Sequence, residues 1–212
     1  MEAETTTGRD EKVEGLRSYL EGMAWVTRGM SAPEGFAFKT PDEATLHHGR
    51  LAAAGPYTDD ERAAILEILE ALREPPEVKM CFQNATMLEH AAHLAGVDLM
   101  YAEGKAAVLI PIDHAWCALP SGKPVDVTLR TRAEYAAADL DDLSSLNDGA
   151  VDPEALLARA EHNLAENAYW GYAVPRRYRW QHLERVGRWC PVIDDHEGGY
   201  PLMRSKDLPW TA

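Results

Sequence analysis

The hydrophobic period of this chain changes at Gly96, and that change limits the fold more than any single motif. Before Gly96, apolar residues recur at steps of three and four. Val13, Leu16, Leu20 and Met23 mark one amphipathic helix from Asp10. Thr58 and Glu61 form a capping box, in which each side chain satisfies the other's free backbone donor. Ala64, Ile65, Ile68, Leu69 and Leu72 then supply a buried stripe, and Pro75-Pro76 stops the helix. A third helix is predicted from Cys81 to about Leu94, closed by Gly96. After Gly96, Leu99 to Ala107, His114 to Leu119 and Val125 to Arg130 read as strands. The last two form a hairpin around Pro120-Ser121-Gly122-Lys123-Pro124, a register that sets Asp126 opposite Ala118.

Residues 1–10 are expected to be a flexible tail. Phe36 to Ala53 suggests a short strand near Phe36-Ala37-Phe38 and a helical turn from Asp42. Arg132 to Gly149 is acidic at Asp139, Asp141, Asp142 and Asp148 and reads as surface helix and loop. Asp152 caps a helix with Pro153 in its first turn, and a last helix spans Arg176 to Val186. With no repeat and no low-complexity linker, residues 11–212 are read as one domain. Its core lies at about 57–130, with a helical C-terminal extension at about 131–212.

Apolar residues make up 46% of the 212, enough for a core. A net charge of −14 argues against a partner that presents phosphate, whether nucleic acid or anionic lipid. The longest mostly apolar run, Ala106 to Ile112, is far too short to span a membrane. Three cysteines (Cys81, Cys117 and Cys190) cannot all pair within the chain, which favours a reducing compartment, the cytoplasm.

The chemistry concentrates between Met80 and Arg130. A cysteine at a helix N-terminus faces the positive end of the macrodipole, which favours thiolate. The backbone N–H groups there can hold an oxyanion. A thiol needs a base, and the base needs an acceptor to fix its tautomer. Cys81, His114 and Asp126 can fill these roles as nucleophile, base and orienter. Asn84, one turn on from Cys81, either adds an amide to the oxyanion site or orders the loop before the helix. Gln83 points away from Cys81 by helical spacing. Cys117 and Cys190 read as structural.

Other chemistries are weaker. His90 with His93, and His114 with Cys117, lack the three or four ligands of a zinc site, so no metal and no cofactor is expected. Gly198-Gly199 fits no phosphate-binding fingerprint. The Arg/Trp/Tyr-rich run from Tyr169 to Trp189 could bind a ligand through stacking and cation–π contacts, but reads first as a packed helix with an exposed basic face.

Cys81-Phe82-Gln83-Asn84-Ala85, His114-Ala115-Trp116 and Asp126-Val127-Thr128 together resemble the transglutaminase-like branch of the papain-like cysteine enzymes. Tyr101-Ala102-Glu103-Gly104 and Tyr169-Trp170-Gly171-Tyr172 are similar to elements of its small bacterial and phage members. Val127 stands where proline is commoner. The resemblance implies an α+β fold with a papain-like or transglutaminase-like core, the cysteine helix packed on a small antiparallel sheet. It also implies an acyl-enzyme on Cys81 that hydrolyses or transfers an amide bond of a peptide, protein or small amide. An arylamine N-acetyltransferase shares the triad order, but the chain lacks the arginine-glycine-glycine approach to the cysteine. The alternative is a catalytically idle binding or structural protein on the same fold, such as a phage or host-interaction factor.

Overall fold

The computed structural model describes residues 2–137, 149–194 and 201–208. The acidic run 139–148 and Gly198-Gly199 lie outside them. The elements in order are α1 (Glu2–Val26), α2 (Pro41–His48), β1 (Arg50–Leu51), α3 (Asp59–Glu70), α4 (Cys81–Ala95), β2 (Met100–Ala107) and β3 (Pro111–Ala118). They continue with β4 (Pro124–Val125), α5 (Arg132–Ala137), α6 (Pro153–Glu166), β5 (Ala168–Ala173), α7 (Arg176–Val186) and α8 (Pro201–Arg204). The fold is mixed α and β, with an antiparallel sheet in the order β1-β5-β2-β3-β4. No helix among the described residues is long and apolar enough to cross a membrane.

The chain forms two compact units. The first comprises Met1–Ala52, Glu103–His114 and Asn167–Ala212. Its α1 buries Leu16 and Leu20 as the stripe requires. Leu16 meets Ala107 and Ala168, with Val13 and Trp170 packed alongside. Phe36-Ala37-Phe38 is not a strand: the N–H groups of Ala37 and Phe38 both donate to the Met203 carbonyl, which leaves no ladder to extend. Thr40 caps α2 by accepting from the Glu43 N–H. The C-terminal region is not wholly helical either. β5 (Ala168–Ala173) lies within it and pairs antiparallel with β1, Arg50 with Gly171 and Leu51 with Trp170.

The second unit comprises Ala53–Ala102 and Ala115–Glu166. Here α3 packs on α4 and α6, and α6 on β4. Ile65, Ile68 and Leu69 of α3, Leu88 of α4, and Leu156, Leu157, Ala160 and Leu164 of α6 are buried, each leucine or isoleucine worth about 2 kcal/mol of transfer energy. The capping box is complete, with Thr58 and Glu61 bonding reciprocally. Gly96 closes α4 at φ +74°, a conformation that costs glycine nothing. The Asp152 carboxylate accepts from the Ala155 N–H at the start of α6.

Glu61 also receives the Lys123 ammonium at 2.7 Å, fastening the β3–β4 loop to α3. Burial pushes its carboxyl up, but the hydrogen bonds of Lys123, Ser121 and the Thr58 N–H outweigh this and hold it at about 2. A folded value below the ordinary 4.5 means the tie stabilises fully above that range and is lost as pH falls toward 2. Lys123→Met is therefore expected to raise the Glu61 midpoint in an NMR titration. An unchanged midpoint would remove Lys123 as the cause.

Candidate active site

Cys81 is the first residue of α4 and 8% exposed. The chain reaches it through Lys79 at φ +65°, the one positive-φ residue other than glycine among those described. That conformation costs a lysine roughly 1 kcal/mol, held here by the structure around it. The Asn84 N–H donates to the Met80 carbonyl at 2.8 Å, which closes the first turn. The N–H groups of that turn have no acceptor within the helix.

Asn84 is buried, and its amide fixes the approach to the cysteine. Its Nδ2 donates to the Glu77 carbonyl at 2.7 Å and to Thr128 Oγ1 at 3.0 Å, while its Oδ1 accepts from the Glu77 N–H at 3.1 Å. Both amide hydrogens are thus engaged with the protein. Asn84 orders the loop before the helix and ties α4 to the segment carrying Asp126.

That segment departs from the expected strand. The ladder pairs Cys117 with Val125 and Ala118 with Pro124, then ends. One more step of this register sets Asp126 opposite Trp116 rather than Ala118. Strand pairing stops because side chains take over the backbone of residues 126–130. Asp126 Oδ1 accepts from the N–H of Thr128 at 2.8 Å and of Leu129 at 3.4 Å. Asn163 of α6 donates to the carbonyls of Asp126 and Leu129 at 2.9 and 3.0 Å. Arg159 donates to the Val127 carbonyl, and Arg130 to those of Val127, Thr128 and Pro76. Bonds that a neighbouring strand would supply come from four polar side chains, and the loop is held all the same.

Asp126 is 2% exposed, and its charge is felt nearby. Burial raises the Tyr57 phenol and the Asp126 carboxylate adds to the shift, so Tyr57 stays protonated and donates to the Pro124 carbonyl at 2.5 Å. Burial likewise pushes the Cys117 thiol well up, with Glu89 and Asp126 adding to it. Its Sγ donates to the Ala85 carbonyl at 3.1 Å, so Cys117 holds β3 on α4 as a neutral thiol.

His114 belongs to the other unit, where it is 2% exposed on β3 with its ring centroid 6.3 Å from that of Tyr169. In that unit the two outlying segments of the resemblance meet: Tyr172 Oη donates to Glu103 Oε1 at 2.9 Å. The buried Glu103 carboxylate also accepts from the N–H groups of Val192 and Ile193, both at 3.0 Å.

Compared with family models, curated proteins and solved structures, the chain matches none. Its functional reading therefore rests on its own residues. Among the described residues no three His, Cys, Asp or Glu side chains gather as a metal site would need.

Sequence reasoning missed Arg159, Asn163 and Glu103. A signal existed for the first two: spaced by four on α6, they interrupt the apolar stripe of Leu156, Ala160 and Leu164 on a buried face. Polar side chains on such a face must bond something, and here they bond the Asp126 loop.

Proposed function

We propose that this chain is a cysteine-dependent acyl-transfer enzyme with a transglutaminase-like, papain-like core, cleaving or transferring an amide or peptide bond. The observation that carries the reading is the tie between Cys81 at the head of α4 and the Asp126 loop, made by Asn84 through Thr128. In this reading His114 takes the Cys81 proton, and the thiolate attacks the acyl carbon of a peptide, protein or small amide. The leaving amine departs with the proton from His114, and water or an acceptor amine then releases the acyl group. The Asp126 carboxylate fixes the imidazole tautomer, and the N–H groups of the first turn of α4 receive the oxyanion. Three free thiols suit a reducing cytoplasm.

The low exposure of Cys81 favours the second reading, an idle protein that binds or builds on the same fold. Labelling with iodoacetamide at pH 6 separates the two. The acyl-transfer reading expects Cys81 to react at least about tenfold faster than a free thiol, and His114→Ala to abolish the advantage. A Cys81 rate no faster than a free thiol, or one unaffected by His114→Ala, would sink it.

A further inference from the structure

Sequence reasoning sets Cys190 aside as structural, yet of the three thiols it alone is not buried. It follows α7, and His182 of that helix places Nε2 3.3 Å from the Cys190 sulfur. This is the nucleophile–base spacing that activates a thiol. Burial lowers the His182 pKa and the Arg179 and Arg185 guanidinium groups lower it further, against the opposing pull of Glu103 and the Cys190 backbone. A neutral imidazole at this distance accepts the thiol proton when its own proton sits on Nδ1.

Charge supplies the second observation. The chain as a whole carries −14. By contrast α7 bears Arg176, Arg177, Arg179 and Arg185 against the single Glu184, and Arg188 follows it. Arg177, Arg185 and Arg188 are exposed. Arg179 is buried and donates Nη1 to the Cys190 carbonyl at 2.9 Å. A thiolate at Cys190 thus forms beside fixed positive charge, and an anionic reagent is drawn to the same surface.

We propose that Cys190 is a modification site for thiol–disulfide exchange with an anionic low-molecular-weight disulfide, with His182 as the proton acceptor. The Cys190 proton passes to His182 Nε2, and the thiolate attacks one sulfur of the disulfide. The disulfide bond breaks as the new Sγ–S bond forms. The departing thiolate takes the proton back from His182. Cys190 is oxidised to a mixed disulfide and the leaving half is reduced to its thiol, so electrons balance without a further oxidant.

The test incubates the full chain with glutathione disulfide at pH 7 and follows each cysteine by peptide mass spectrometry. Native Cys190 is expected to form the mixed disulfide about tenfold faster than Cys190 of the urea-unfolded chain, and His182→Asn to remove most of that advantage. Arg185→Ala with Arg188→Ala is expected to slow glutathione disulfide several-fold while leaving uncharged hydroxyethyl disulfide unaffected. A native rate no faster than the unfolded one, or a His182→Asn rate equal to the native rate, overturns the proposal. Should His182→Asn not fold, the arginine variant decides by itself: equal slowing of both disulfides, or of neither, also overturns it. Because peptide mapping resolves Cys81 from Cys190, this result stands apart from the acyl-transfer reading.

Discussion

Gly104→Ala is expected to lower stability by about 3 kcal/mol or more, adding overpacking to backbone strain. A Cβ at this position of β2 would sit on the Trp170 carbonyl oxygen and 2.6 Å from the Gly171 Cα. Those neighbours are backbone of β5, which cannot rotate away as a side chain would. Moving β5 would in turn pull Tyr172 from the Glu103 carboxylate and shift Ala168 from Leu16. Gly96→Ala is the control, since Gly96 also has a positive φ but a Cβ there meets nothing within 4 Å. It is expected to cost about 1 kcal/mol, the conformational penalty alone. Urea unfolding of both variants tests the contrast, and equal midpoints would show that the close approach is not what requires glycine at 104.

Asn84→Ala is expected to cost about 2–3 kcal/mol, because it leaves a backbone N–H, a backbone carbonyl and a buried hydroxyl without their partner. Its effect should reach both halves of the site that this amide ties together. Hydrogen exchange at the Thr128 and Leu129 amides, which donate to Asp126, should accelerate as the loop loosens. The iodoacetamide rate at Cys81 should change in the same variant, since residues 77–80 lose their anchor. Full protection of those amides at wild-type stability would mean that Arg130, Arg159 and Asn163 hold the loop unaided. The role given to Asn84 would then fall.

How much of this was legible in the sequence varied with the range of the interaction involved. α3, α4 and α7 were read nearly to the residue, because a capping box, a C-terminal glycine and a stripe are all local signals. The start of Cys81's helix was among them, so the electrostatic case for this cysteine came from sequence. β4 was read too long and two residues out of register, because its continuation is replaced by donors from α6, far along the chain. Local spacing leaves Asn84 two roles, and its bonds to Glu77 and Thr128 come from positions that spacing does not give. Cys190 reads as structural because a cysteine before proline carries no mark of a histidine eight residues earlier, which helical geometry and Gly187 bring back to it.

The sequence by itself determined the change from helices to strands at Gly96, the main helices and their caps, and the positions of three thiols in an acidic chain. Each of these follows from hydrophobic period, backbone chemistry or composition, which act within a few residues. Only the tertiary structure decided where β4 ends, which side chains grip the Asp126 loop, and that Cys117 stays neutral while Cys190 meets a histidine. Those outcomes depend on burial and on donors and acceptors that the folded chain brings together. No local pattern encodes such distances.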